Sequence, residues 1–154
     1  MKKYLLAVAL AAVSTTAFAG DHTDDLTVKM EVVEECTISA QDVAFGNVGI
    51  LNRAYQGSGS VEVICTPNLA YTVALQDAAN ASAPFAMTSG ANSISYAMYQ
   101  DASLAQAWSS TDLKSATSGA DGFGGSFTIY GNIPVQTSVP AGSYAQALSA
   151  VVNF

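Results

Sequence analysis

The segment that most constrains this chain is Leu26-Thr27-Val28-Lys29-Met30-Glu31-Val32, in which apolar and polar residues alternate without a break. A period of two is that of a β-strand, so the apolar residues share one face and the polar residues share the other. The segment lies close to the beginning of the chain, where most chains are poorly ordered, and an amphipathic strand there needs a sheet to pair with. We interpret it as a strand that pairs with another molecule, through its apolar residues Leu26, Val28, Met30 and Val32.

The first 19 residues have the three parts of a secretory signal peptide. A pair of lysines precedes an apolar run over 4–13, and Ala17-Phe18-Ala19 is a small-x-small cleavage site. The apolar run is shorter than the roughly 20 residues that cross a bilayer, and no later segment is long enough either. We therefore expect residues 1–19 to be removed, leaving a mature chain of residues 20–154 that does not insert directly into a membrane.

The mature chain is strongly acidic. Lys29, Arg53 and Lys114 are its three strong cations against twelve Asp and Glu residues, which gives a formal charge of −9. Such a surface repels phosphate backbones and anionic lipids, and it lacks the basic stripe that nucleic-acid binding requires. The composition therefore argues against nucleic acid as a partner.

Cys36 and Cys65 are the two cysteines of the chain. In an exported protein an even pair of cysteines indicates a disulfide, because oxidising compartments form and keep disulfides. A zinc site is the weaker alternative, since zinc usually takes four ligands and the chain adds one distant histidine. Closing the loop of 28 residues between the two cysteines would stabilise the fold by about 3–4 kcal/mol.

After the first cysteine, short apolar or alternating segments are separated by clusters of Gly, Ser, Asn, Asp and Pro. Short strands with frequent turn signals, and no long stretch of helical period, predict an all-β, immunoglobulin-like sandwich in one domain. The region 101–122 fits either a helical turn or a long loop. The predicted strands are 36–39, 43–46, 60–66, 71–76, 93–100, 126–132 and 144–154, with turns at 56–59, 89–92, 118–122 and 140–142.

The last predicted strand, 144–154, has a mostly apolar face, and no sequence follows it. An immunoglobulin-type sandwich is completed by one more strand, so we expect an incomplete sandwich that lacks its last strand. Such a fold exposes an apolar groove and an unpaired backbone edge, which promote aggregation unless they are covered. Segment 26–32 of another copy can cover them, and a head-to-tail contact of this kind grows a fibre. We expect the groove wall to include Tyr144, Leu148, Ala150, Val152 and Phe154.

Eight short motifs follow one another through nearly the whole mature chain: VKM at 28–30, CTI at 36–38, VAFG at 43–46, VICT at 63–66, YTVAL at 71–75, YAMYQD at 96–101, IYGNIP at 129–134 and VVNF at 151–154. In these motifs and their order the chain resembles the spore coat protein U domain family, which includes the major subunits of archaic chaperone–usher (Csu-type) pili. The resemblance implies a structural pilus or coat subunit that supports adhesion and biofilm formation. It also implies a Gram-negative cell-surface location reached through the periplasm.

The resemblance further implies assembly by donor-strand exchange with other copies or related pilins, after a periplasmic chaperone has lent a strand and an outer-membrane usher has exported the subunit. It divides the chain into a signal peptide at 1–19, a donor-strand extension at 20–34 and an incomplete pilin or coat domain at 35–154. The wall 144–154 would also be the chaperone contact. One departure is that Glu34 and Glu35 precede Cys36, where relatives carry small or neutral residues. The resemblance therefore does not specify the conformation of the hinge between the extension and the domain.

Two other functions compete with this one. A tip adhesin or another secreted carbohydrate-binding sandwich could bind its ligand through exposed aromatic residues. Most aromatic residues, however, stand at strand positions that face the predicted core, and the 135 residues of the mature chain leave no room for a second domain. An exported hydrolase would need a rigidly held base, and the one histidine, His22, stands in an acidic tail. No spacing marks a carboxylate pair or a calcium loop. We therefore expect neither an enzyme nor a bound cofactor or metal.

Overall fold

The computed structural model describes residues 20–77, 85–108 and 112–154, so the predicted signal peptide, 1–19, lies outside the described residues. The chain divides between Glu31 and Val32 into two units. In the first unit, the described residues 20–31 form no helix or strand. Nowhere in the three described ranges is there a helix with the length and apolar character needed to cross a bilayer.

The second unit contains eight strands within the part of the chain that the structure describes. Five of them form one sheet in the order β1-β2-β7-β5-β4, and three form a second sheet in the order β6-β3-β8. Every paired strand is antiparallel to its neighbour. The predicted all-β, immunoglobulin-like sandwich is confirmed. The strands are β1 (Cys36–Ala44), β2 (Tyr55–Cys65), β3 (Ala70–Gln76), β4 (Phe85–Ser89), β5 (Asn92–Tyr99), β6 (Lys114–Thr117), β7 (Phe123–Ile133) and β8 (Ser149–Asn153).

The core lies between the two sheets and follows the alternation of the sequence. On β3, and on β2 from Val61 to Cys65, every second residue is buried, and the residues between them are exposed or half-buried. The same period buries one face of β5, so strand sequence and packing agree because successive side chains of a strand point to opposite faces. The buried apolar side chains are Leu51, Val61, Val63, Cys65, Tyr71, Val73, Leu75, Phe85, Ile94, Tyr96, Met98, Trp108, Ile129 and Ile133.

A disulfide joins Cys36 to Cys65, as the sequence predicted. The two residues are direct cross-strand partners in the β1–β2 register. Cys36 is also the first residue of β1, so the covalent link holds the strand at the point where the N-terminal extension leaves the domain. The backbone N–H of Thr66 donates to the carbonyl oxygen of Glu35 at 2.8 Å and extends this attachment by one residue.

Several predicted boundaries are wrong. The segments 36–39 and 43–46 form one strand, β1, which ends at Ala44 and carries an irregularity between Gln41 and Ala44. The predicted turn 56–59 lies inside β2, and the sequence did not reveal β4 or β6. The last strand, β8, has five residues, fewer than the eleven of the predicted strand 144–154.

Two glycines explain why part of β2 was mistaken for a turn. A Cβ atom on Gly59 would lie 2.6 Å from the carbonyl oxygen of Gln41 and 2.9 Å from that of Asp42, and a Cβ atom on Gly57 would lie 2.6 Å from the carbonyl oxygen of Ala44. The irregular part of β1 therefore approaches the β2 backbone closely, and a glycine inside a strand often marks such an approach. These glycines are required by packing and not by a change of chain direction.

We expect Gly59→Ala to lower the free energy of unfolding by about 1–3 kcal/mol, because the added methyl group must displace backbone atoms of β1. Gly49→Ala is the matched control, since nothing lies within 4 Å of a Cβ atom at that position. Urea denaturation of the two variants measures the difference. Equal stability of the two variants would contradict the close approach of β1 to β2.

Candidate functional site

A cavity of about 420 Å³ lies between the inner face of the five-stranded sheet and the chain that leads into β8. Its floor is formed by core side chains of that sheet, among them Val61, Met98 and Ile129. These apolar side chains expose 5 % or less of their surface, so the cavity reaches down to the hydrophobic core of the domain. Such an opening is suited to an apolar partner.

A second cavity of about 660 Å³ adjoins the first. It extends along the loop 45–49, which follows β1, and along 139–142, which precedes the last strand. We call the two adjoining cavities together the groove. The residues that line both of them are Val43, Ala44, Phe45, Met87 and Tyr144.

The first wall of the groove is the end of β1, where an extra residue interrupts the pairing with β2. Such a bulge bends a strand and redirects its side chains. Beyond it, the ring of Phe45 packs edge-to-face on Tyr96, with 6.1 Å between ring centroids. A Cβ atom on Gly131 would lie 2.6 Å from Phe45 Cζ, so Gly131 provides the space that the ring occupies. The sequence motifs at 43–46 and 129–134 therefore meet at this wall.

The second wall is the segment 144–150. Its beginning is attached to the edge of β4, because Thr88 N–H donates to the Ala145 carbonyl at 3.1 Å and Ala145 N–H donates to the Thr88 carbonyl at 3.3 Å. Gln146 Oε1 accepts hydrogen bonds from Tyr96 Oη at 2.8 Å and from Ala86 N at 3.0 Å. This glutamine thus fixes the wall to the β4–β5 hairpin from inside the groove.

Three of the five residues predicted for the wall line the groove: Tyr144, Leu148 and Ala150. Val152 instead packs against the core opposite Val73. Phe154 is 57 % exposed and lies beside a different cavity, on the three-stranded sheet.

Residues 40–45 form the opposite wall, which was not predicted from the sequence. The motif at 43–46 was the available signal, but it does not reveal which surface it lines.

The four apolar residues of the N-terminal segment are exposed. Leu26, Val28 and Met30 expose 87–89 % of their surface, and Val32 exposes 71 %. Large apolar side chains of this kind are normally buried, and four at alternate positions make an exposed apolar stripe if the segment is extended. The polar residues between them, Thr27, Lys29 and Glu31, are exposed as well.

The groove contains one titratable group whose pKa is strongly shifted. Burial raises the pKa of Tyr96 to about 12, and the negative charge of Asp77 adds to the effect. Tyr96 is therefore a neutral hydrogen-bond donor to Gln146 over the whole physiological range. Among the residues that the structure describes, no group of three or more His, Cys, Asp or Glu could hold a metal ion.

Residues 22–150 match the family model of the Spore Coat Protein U domain. The chain is also similar to a chain in the crystal structure of the CsuC–CsuE chaperone–tip adhesion subunit pre-assembly complex from the archaic chaperone–usher Csu pili of Acinetobacter baumannii. The TM-score is 0.52 and the sequence identity is 25 %, over 80 % of this chain and 40 % of that chain. This chain thus spans well under two thirds of its structural relative. No curated protein matches it.

We expect the domain to lose stability between about pH 10 and 12. A tyrosine whose folded pKa lies above its ordinary value of 10 stabilises the fold fully below pH 10, and this contribution is lost as the pH rises through the folded pKa. The loss should be about 1–2 kcal/mol when solvent screening is taken into account. Urea denaturation at pH 9 and 11.5 should show a smaller loss for Tyr96→Phe than for the native chain, and an equal loss would contradict the assignment.

Proposed function

Because the chain belongs to the Spore Coat Protein U domain family, we propose that it is a structural subunit of a surface pilus or coat, polymerised by donor-strand exchange. In this proposal the segment 26–32 of one copy occupies the groove of the next copy. The single observation that carries the proposal is the match between four exposed apolar residues at alternate positions and a groove that opens onto the core. The exposed side chains of the segment and the groove each need an apolar partner, and each can serve as the partner of the other.

The expected energy is large enough for a stable contact. Burial of four side chains of this size contributes roughly 6–12 kcal/mol, at about 1.5–3 kcal/mol each, before the ordering of the strand is subtracted. Backbone hydrogen bonds to the free edges of β1 and β8 would add to this figure. The contact is heterologous, because different surfaces of the two copies meet, so it continues from copy to copy as a fibre.

The same groove would need cover before assembly. We propose that a periplasmic chaperone lends it a strand and that an outer-membrane usher exports the subunit to the surface of a Gram-negative cell. The similar structure supports this part, since it is a pre-assembly complex of a chaperone and a tip adhesion subunit. Adhesion and biofilm formation would follow from the fibre as a whole.

A tip position is the second candidate, because the similar structure contains a tip adhesion subunit. In a head-to-tail fibre the terminal copy at one end needs a groove but no donor segment. This chain has both an apolar extension and a groove, and an internal position in the fibre uses both. We therefore favour a subunit of the shaft.

We expect Val28→Asp and Met30→Asp to block polymerisation, because each places a charge in an apolar groove at a cost of several kcal/mol. Thr27→Asp is the matched control, since residue 27 belongs to the polar face of the segment. Gel analysis of unboiled samples counts the oligomers. Equal ladders for the three variants would show that the apolar face is not buried at the contact.

Deletion of residues 20–33 should abolish the ladder and leave the groove empty. A peptide that spans 24–33 should then stabilise the shortened protein and raise its melting temperature. At a peptide concentration a hundred times Kd, the added free energy of unfolding is about 2.7 kcal/mol. A peptide with the Val28→Asp substitution serves as the control. Normal polymers from the shortened protein, or no thermal shift with the native peptide, would refute the donor assignment.

A further inference from the structure

Among the described residues that line the groove, one is an Asp, Glu, Lys, Arg or His, and this residue is Asp42. The other lining residues are apolar or uncharged. Asp42 is exposed and belongs to the interrupted part of β1, between the paired residues Gln41 and Ala44. Its side chain makes no hydrogen bond or ion pair with any residue that the structure describes. The rim of the groove thus carries one isolated negative charge.

The extension carries one positively charged side chain. Lys29 is its single Lys or Arg, while five Asp and Glu residues occur within 20–34. Lys29 is the fourth of the seven residues 26–32, so it lies at the middle of the inserted segment whichever way the strand runs. It also lies on the polar face, which would point away from the groove floor and toward the rim.

Apolar complementarity fixes the register of this segment only in part. Leu26, Val28, Met30 and Val32 are of similar size, and a shift by two residues keeps three of the four inward positions apolar and brings Asp24 or Glu34 to the fourth, at one end of the segment. The same shift changes the charge that faces Asp42. In one register Lys29 stands there, whereas shifts by two residues place Thr27 or Glu31 there, and Glu31 would repel Asp42.

We propose that Lys29 of one copy pairs with Asp42 of the next copy and that this ion pair contributes to selecting the register of the inserted strand. The inference rests on the proposed donor-strand exchange and adds a specificity contact to it. The apolar residues supply most of the binding energy, and the ion pair at the middle of the segment adds to the preference for one register over those that turn Asp24 or Glu34 inward. An acidic extension and an acidic domain repel elsewhere, which increases the value of one correctly placed attraction.

The test is a double-mutant cycle on polymers of the full chain. Lys29→Glu and Asp42→Lys should each speed depolymerisation in urea about two- to fivefold, the range measured for exposed ion pairs. The double variant Lys29→Glu/Asp42→Lys should return to within about twofold of the native rate, because the pair is re-formed with its charges exchanged. Urea is uncharged, so the pair is not screened, and added salt should reduce the coupling between the two positions.

Matched cycles use Thr27→Glu and Glu31→Lys, each combined with Asp42→Lys. Coupling that is largest at position 29 supports the register. Equal coupling of positions 27, 29 and 31 to position 42 would indicate general electrostatic attraction. A maximum at position 27 or 31 would indicate another register. Either result overturns the inference. Val28→Asp tests the proposed function separately. If Val28→Asp blocks assembly while positions 29 and 42 are uncoupled, the register inference alone fails.

Discussion

The inner face of the five-stranded sheet needs apolar cover, and the three-stranded sheet opposite provides it over only part of its area. Toward the Cys36–Cys65 end, β2 and β3 bury every second side chain between the two sheets. At the other end the floor formed by Val61, Met98 and Ile129 faces an open groove. Removing apolar surface from water is favourable, so the incomplete cover is the feature on which the proposed binding of an apolar strand depends.

The walls of the groove are fixed by contacts that do not depend on a partner. β1 is covalently attached at its first residue and follows β2 closely enough that Gly57 and Gly59 have no room for a side chain. On the other side, Gln146 binds both Tyr96 and the β4 backbone. The groove is thus held from both sides by contacts within the domain, and a pre-formed site of this kind would lose less conformational entropy on binding the proposed strand.

Strands with a clean alternation of buried and exposed residues were recognised from the sequence. This applies to β3 and β5 and to parts of β2 and β7, since a strand with one face in the core must alternate. β4 and β6 lie at sheet edges, where a short strand with mixed residues has no such constraint. The segment 144–148 reads as part of the last strand, yet it leaves the three-stranded sheet and attaches to β4 through the Thr88–Ala145 bridge.

Local pattern was enough to predict an all-β sandwich, one disulfide and the alternation of apolar residues that lie exposed at 26–32, because each depends on residue period, on cysteine count or on the composition of neighbouring residues. The position of the groove was not readable in this way. It depends on Phe45 meeting Gly131, and on Gln146 meeting residues 50 and 60 positions earlier in the chain. Contacts between such distant residues arise from the packing of the two sheets, and no short stretch of sequence contains both partners.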